Sequence, residues 1–224
     1  MNKWRILLYQ FLVSLLPLVY LADIWRSLPA IVPTHSNINM QTDRYGSKNE
    51  ILYVAIFLVI ITFLCSLLIL SVSRIDPRLR NKESRSMVIK FSWVVVLLLT
   101  IVSAGLVYLI YKKSTGNATY SFSLKYLVAL ISIFFAVSGH FMKNIKQNHF
   151  FGFRTPWALT DADNWRRTHL FGSEVWFFGG IIICVLALIL PGSFAIFIMI
   201  SGFMVLVFIP FYYSYSLFRQ RRNT

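Results

Sequence analysis

Six long runs of apolar residues, at about 6–22, 51–72, 92–111, 126–142, 174–190 and 194–217, dominate this sequence. Each is close to the length of a helix that crosses a bilayer. Runs of that kind leave few possible folds. Backbone inside hydrocarbon has to satisfy its own N–H and C=O groups, which only helices and closed barrels achieve, and barrel strands alternate apolar with polar residues where these runs do not. The expected fold is therefore an all-α integral membrane protein with six transmembrane helices. With 57% hydrophobic and 13% charged residues, 224 residues hold more apolar surface than one soluble core can hide. Lys3 and Arg5 precede the first run as they would in a signal peptide. The residues after it, Asp23-Ile24-Trp25-Arg26, offer no small-residue cleavage site, so the run is read as a span.

A formal net charge of +14 raises the question of nucleic acid. The basic residues are spread over loops and tails and not gathered on one recognition element, which argues against direct nucleic-acid binding. Their placement fits topology instead. Most fall in the two tails and in the second and fourth loops, the exceptions being Arg26, Arg44, Lys48, Lys112, Lys113 and Lys125. The positive-inside rule then puts both termini in the cytoplasm, and a basic inner face suits anionic membrane lipids. Cys65 and Cys184 stand far apart inside apolar runs and read as packing residues, with no disulfide framework implied.

Two regions follow from this layout: residues 1–75, with two spans and an outer loop at 23–50, and residues 76–224, with four spans and a loop at 143–173. In the outer loop Pro29 and Pro33 fix backbone angles, His35 and Asp43 are its polar features, and Gly46 suits a turn before the second span. An ordered, extended loop is expected. The second loop, Arg74 to Lys90, is explained by topogenic charge. Asn117-Ala118-Thr119 matches a glycosylation acceptor by pattern alone. Pro210 should kink the last span, its freed carbonyl being satisfied by a neighbouring helix.

The fourth loop is the most specific stretch. Thr155 is placed to cap a helical turn with Pro156 at its first position. Thr160 offers a second helix start, with Asp161 and Asp163 complementing the dipole, and that helix would run into the fifth span. On it Trp165, His169, Gly172 and Trp176 share one face. Trp157 and Trp165 are natural interface anchors, Gly152 permits close backbone approach, and Arg154 can hold phosphate, carbonyl or carboxylate. Two readings stand: a membrane-surface elbow with a snorkelling arginine, or a recognition site for a peptide or protein.

The stretch Asn148-His149-Phe150-Phe151-Gly152-Phe153-Arg154-Thr155-Pro156-Trp157-Ala158-Leu159, followed by Trp165 and Thr168-His169, resembles the signature of the SdpI family, bacterial membrane proteins that confer immunity to a secreted killing peptide. The first loop, from Leu28-Pro29 to Ser47-Lys48, resembles the short N-terminal domain of unknown function often found ahead of that signature. Three positions depart from the usual pattern: His140 after Gly139, Leu170, and Met40 where a turn glycine is common. The resemblance implies a multi-pass protein of the bacterial cell membrane that protects against an SdpC-like toxin peptide. It also implies capture of a cytoplasmic transcriptional repressor, a signal-transducing role. The residues it marks for toxin or repressor binding are Asn148, Gly152, Arg154, Thr155, Pro156, Trp157, Trp165 and His169, with Pro29, Pro33, His35, Asp43 and Gly46 in the outer loop.

Other classes fit less well. There is no HExxH and no activated serine signature, and His140, His149 and His169 read as separate interfacial histidines rather than zinc ligands, so neither an enzyme nor a metal or other cofactor is expected. A transporter or exporter of a peptide or other toxic compound is the alternative. It would be expected to carry ionisable groups deep in its spans, and Lys125, His140 and Glu174 lie near span ends.

Overall fold

The computed structural model describes residues 2–37, 41–116 and 123–222. The turn at Met40 and the acceptor pattern at 117–119 lie outside them. Apolar runs become helices here because a helix closes every backbone hydrogen bond internally. The chain forms α1 (Lys3–Ser14), α2 (Leu16–Ile24), β1 (Ile31–Ser36), β2 (Thr42–Ser47), α3 (Lys48–Ile75), α4 (Lys82–Ser114), α5 (Leu124–Met142), α6 (Pro156–Thr160), α7 (Ala162–Ile189) and α8 (Ala195–Arg222). Among the described residues six helical segments are long and apolar enough to cross a membrane, α1 and α2 together forming the first. That first span breaks at Leu15, where Pro17 in the opening turn of α2 lacks an N–H to continue the ladder. Two compact units result: residues 1–70 with 92–124, and residues 71–91 with 125–224.

The first unit contains the hairpin that the loop's prolines and glycine foreshadow. β1 and β2 pair antiparallel, with Val32 opposite Gly46 and Pro33 opposite Tyr45, and the register slips on either side of His35. Pro33 cannot donate to the ladder, which is why the pairing is irregular there. Gly46 is a strand residue of β2 and not a turn, with the flexible, exposed Glu50 carboxylate lying over it. Val32 is fully buried against Leu21, Ile24, Leu28, Ile51, Ala55 and Val107, which anchors the hairpin to its helices. Lys113 donates to Ser36 Oγ at 2.7 Å, a local reason for a lysine at that end of α4. Within the helices, Gln10 donates to Ser92 Oγ at 2.8 Å and accepts from Ser66, a buried uncharged clamp joining three spans.

The second unit holds the fourth loop. Its basic stretch is more helical than expected, since α4 begins at Lys82 and carries Arg85 and Lys90. Asn81 accepts from Ser84 N at 2.8 Å to cap the start, and Glu83 lies in the first turn. α5 and α7 touch through two glycines. A Cβ at Gly139 would come within 2.7 Å of Phe177 N, and one at Gly180 within 2.7 Å of Ala136 N. Those obstacles are backbone and cannot give way, so small residues set this contact. α8 stays helical through Pro210. The carbonyl that Pro210 cannot reach is that of Leu206, and Trp176 Nε1 of α7 donates to it at 2.8 Å.

Candidate functional site

The fourth loop is held from its root. Asn148 is fully buried, and both ends of its amide are used. Nδ2 donates to Lys146 O at 2.9 Å and Phe151 O at 3.2 Å, while Oδ1 accepts from Phe150 N at 2.8 Å and Phe151 N at 2.7 Å. One side chain therefore bends residues 146–151 into a fixed turn. Asp76, 3% exposed, pins the same turn by accepting His149 N at 2.9 Å, and its other oxygen caps the 3-10 turn Pro77–Leu79 through Arg78 N at 2.9 Å. Burial pushes the Asp76 carboxyl up, but those two N–H groups and the His149 ring outweigh it and hold the group below its ordinary value.

Beyond the turn, the chain passes Gly152 at φ +97, a backbone that side-chain-bearing residues rarely adopt. A Cβ there would also overlap His169 Nε2. The clearance lets Phe153 N donate to His169 Nε2 at 2.9 Å, while His169 Nδ1 faces Trp165 O at 2.8 Å. An amide N–H only donates and a carbonyl only accepts, so this imidazole carries its proton on Nδ1 and is neutral. The ring stacks on Trp165, centroids 4.0 Å apart, and Trp165 Nε1 donates to Ile145 O at 2.9 Å. Trp165 is 2% exposed, so it is an inner post of the loop and not the interface anchor its residue type suggests.

A second network closes the loop onto α8. Thr155 caps α6 by accepting Ala158 N at 3.2 Å, with Pro156 next to it, as the sequence indicates. Ser214, fully buried, donates to Asn164 Oδ1 at 2.8 Å and accepts Trp157 Nε1 at 2.8 Å. Thr155 Oγ1 lies 3.0 Å from the same hydroxyl. Since the one Ser214 proton goes to Asn164, Thr155 is the donor, and Ser214 is saturated. Asn164 Nδ2 returns to Ser214 O at 2.9 Å, and Thr168 Oγ1 adds a bond to Asn164 Oδ1 at 3.1 Å. The ring of Trp157 stacks on Phe218 at 5.5 Å.

The cap of α7 is Asp161 and not Thr160. In an extended conformation it accepts from Asp163 N and Asn164 N, whereas Thr160 bonds back into α6. Arg221 pairs with Asp161 and, at 2.6 Å, with Asp163. Burial raises the Asp161 carboxyl, but the two amides and Arg221 hold it below its ordinary value. Gln147 Nε2 clamps the far end of α6 through Ala158 O and Leu159 O.

The sequence-marked residues thus separate into two kinds. Gly152, Trp165 and His169 meet at one post, Thr155 and Trp157 meet at Ser214, and Asn148 forms the root. Arg154 and Pro156 remain on the surface, beside exposed His149 and Phe150. Arg154 uses NH1 to reach His149 O at 2.6 Å. Pro29, Pro33, His35, Asp43 and Gly46 belong to the hairpin of the other unit, where His35 Nδ1 lies 2.6 Å from Asp43 Oδ1. Sequence reasoning missed Asp76, Gln147, Asn164, Ser214 and Arg221. Asp76 directly before Pro77 is a readable cap signal. Nothing local marks Ser214, since its partners lie 50 residues and more away.

Residues 144–214 match the SdpI/YfhL protein family, and residues 12–62 match a domain of unknown function, DUF1648. A curated protein named Immunity protein SdpI, from Bacillus subtilis (strain 168), is 32% identical over 102 residues, which is 45% of this chain and 49% of that protein. The match thus spans about half the length of that relative. No solved structure matches the chain.

Proposed function

From the membership of this chain in the SdpI/YfhL family, as a multi-pass protein of the bacterial cell membrane, we propose that it is a membrane immunity protein. It protects its cell against a secreted, SdpC-like toxin peptide, and its fourth loop is the working surface. The observation that carries the reading is the division of labour in that loop. Asn148, Asp76, His169, Thr155 and Ser214 fix the backbone with buried, fully used hydrogen bonds, and the rigid frame displays Arg154, Pro156, Phe150 and His149. A frame so over-determined suits recognition, because little ordering remains to be done on binding. Arg154 keeps most of its guanidinium donors for a carboxylate or carbonyl of a partner.

Both termini and this loop face the cytoplasm in the proposed topology, following the positive-inside rule. A loop on that side is also the surface that would hold a cytoplasmic transcriptional repressor when toxin is present, with the hairpin of the first unit as the sensing element. The test is survival of a sensitive bacterium expressing the chain and challenged with an SdpC-type peptide, with Arg154→Ala at matched membrane accumulation. Protection by the wild-type chain that is lost in Arg154→Ala is the expected result. Protection that persists in Arg154→Ala removes the loop from the mechanism, and no protection at all removes immunity. Repressor capture is tested separately by pull-down on membranes with and without the peptide.

A further inference from the structure

Around the 3-10 turn Pro77–Leu79, three arginines of the second unit share one recess of about 290 Å³. Its walls are Arg74 near the end of α3, Arg80 just after the turn, Arg85 in the first turn of α4, and Ser73. Arg80 is fixed there, because its NH2 donates at 3.0 Å to Arg74 O, one of the last carbonyls of α3. No carboxylate lines the recess, and none of the three arginines forms an ion pair among the described residues. Asp76, the nearest acid in sequence, is committed to the amides of Arg78 and His149. Ser73 is 8% exposed, its hydroxyl has no partner among the described residues, and the surface it keeps opens on this recess. Topogenic charge asks only that basic residues lie on the cytoplasmic side. It does not ask them to share a recess with a nearly buried, unbonded hydroxyl.

We infer that the recess is a binding site for a phosphate group, held by Arg74, Arg80 and Arg85 and by the Ser73 hydroxyl. Phosphate suits this donor set because its several oxygens accept from more than one guanidinium at once, where a carboxylate is filled by a single fork. Depth favours a lipid as the source. Ser73 and Arg74 directly follow the apolar run of α3, at the level where hydrocarbon gives way to headgroups. Ile75, 63% exposed beside Arg74, offers the apolar contact that the lipid's glycerol end needs. A phosphate here braces the turn that carries Asp76, and through Asp76 the root of the fourth loop. The recess lies between the two matched segments, residues 12–62 and 144–214, and its assignment is independent of toxin immunity.

The test is native mass spectrometry of the full chain released from detergent micelles doped with phosphatidylglycerol or phosphatidylcholine, with inorganic phosphate in a parallel series. One phosphatidylglycerol per chain is expected to survive release, about tenfold better retained than phosphatidylcholine, whose choline cation opposes the arginines. Arg74→Gln and Arg85→Gln, both on exposed positions, should each weaken retention about fivefold, and Ser73→Ala about twofold. Lys90→Gln removes an equal charge from α4 outside the recess and should leave retention unchanged. Binding of inorganic phosphate in place of the lipid, with the same arginine dependence, would keep the phosphate site and make its source soluble. Retention untouched by both arginine variants, an equal loss in Lys90→Gln, equal retention of phosphatidylcholine, or binding of neither lipid nor phosphate would each overturn the assignment.

Discussion

Replacing Trp176 with phenylalanine should destabilise the second unit for a reason found on a different helix. The indole N–H is the donor for Leu206 O, the carbonyl left open by Pro210. Without it that buried carbonyl has no replacement, a loss of about 1–3 kcal/mol by the general cost of an orphaned polar group. Single side-chain hydrogen bonds within membranes measure nearer about 0.6 kcal/mol, with a ceiling of about 1.7. The indole is also packed at 4.7 Å on Phe135 and 5.6 Å on Phe153, so a raw loss mixes packing with hydrogen bonding. Pro210→Ala separates them. An alanine at 210 restores an N–H that reaches Leu206 O within the helix, so Trp176→Phe on that background loses packing alone. Reversible unfolding in mixed micelles, followed by circular dichroism, should give a Trp176→Phe cost that falls by about 1 kcal/mol when Pro210 is absent. If the cost is the same in both backgrounds to within about 0.3 kcal/mol, the carbonyl argument is refuted.

Gly152→Ala combines a positive φ with an overlap on His169, so it should cost about 1–3 kcal/mol in backbone strain and loosen the loop. Faster trypsin cleavage after Arg154 in folded protein reads this directly, and unchanged cleavage would count against the post. Ser214→Ala leaves Trp157, Thr155 and Asn164 each short of a partner and should lower stability by about 3 kcal/mol. Ser214→Cys, a weak donor and acceptor, recovers part of that. Asp76 predicts acid sensitivity. Its carboxyl is held below the ordinary value of 3.8, so its contribution is complete above that value and is lost as pH falls through the lowered one. The gap in stability between wild type and Asp76→Asn should therefore be constant from neutral pH down to about 5 and close below about 4. A gap that does not change with pH would show that the carboxylate charge is immaterial.

Much of the fold was legible because the constraint behind it is one-dimensional. A run of apolar residues has no alternative to a helix in hydrocarbon, and Thr155-Pro156 declares its own cap. Helix starts were harder where polar residues continue a helix past the membrane, as at Lys82, because composition changes before the backbone does. The hairpin was legible as ordered from Pro29, Pro33 and Gly46, but the slip at His35 depends on pairing that no local pattern prints. In the fourth loop the sequence marked the right segment without dividing supports from display. Gly152, Trp165 and His169 look alike in importance to Arg154, yet Trp165 and His169 are buried posts, exposed Gly152 clears the space beside them, and Arg154 faces out. That division is decided by partners such as Ser214 and Asp76, which lie fifty or more residues from the loop side chains and amides they bond.

The hydroxyl of Ser214 also has a temporal meaning. Thr155 and Trp157 leave the ribosome nearly sixty residues before Ser214 does, and Asn164 fifty before it. At about 5–20 residues per second, several seconds pass in which the loop exists without the atom that joins its threonine, tryptophan and asparagine. A nascent chain that stalls within the last span therefore carries the whole signature in sequence and an unfinished version of it in space. The frame under Arg154 is completed only once the part of α8 that carries Ser214 has been made and has packed against the loop.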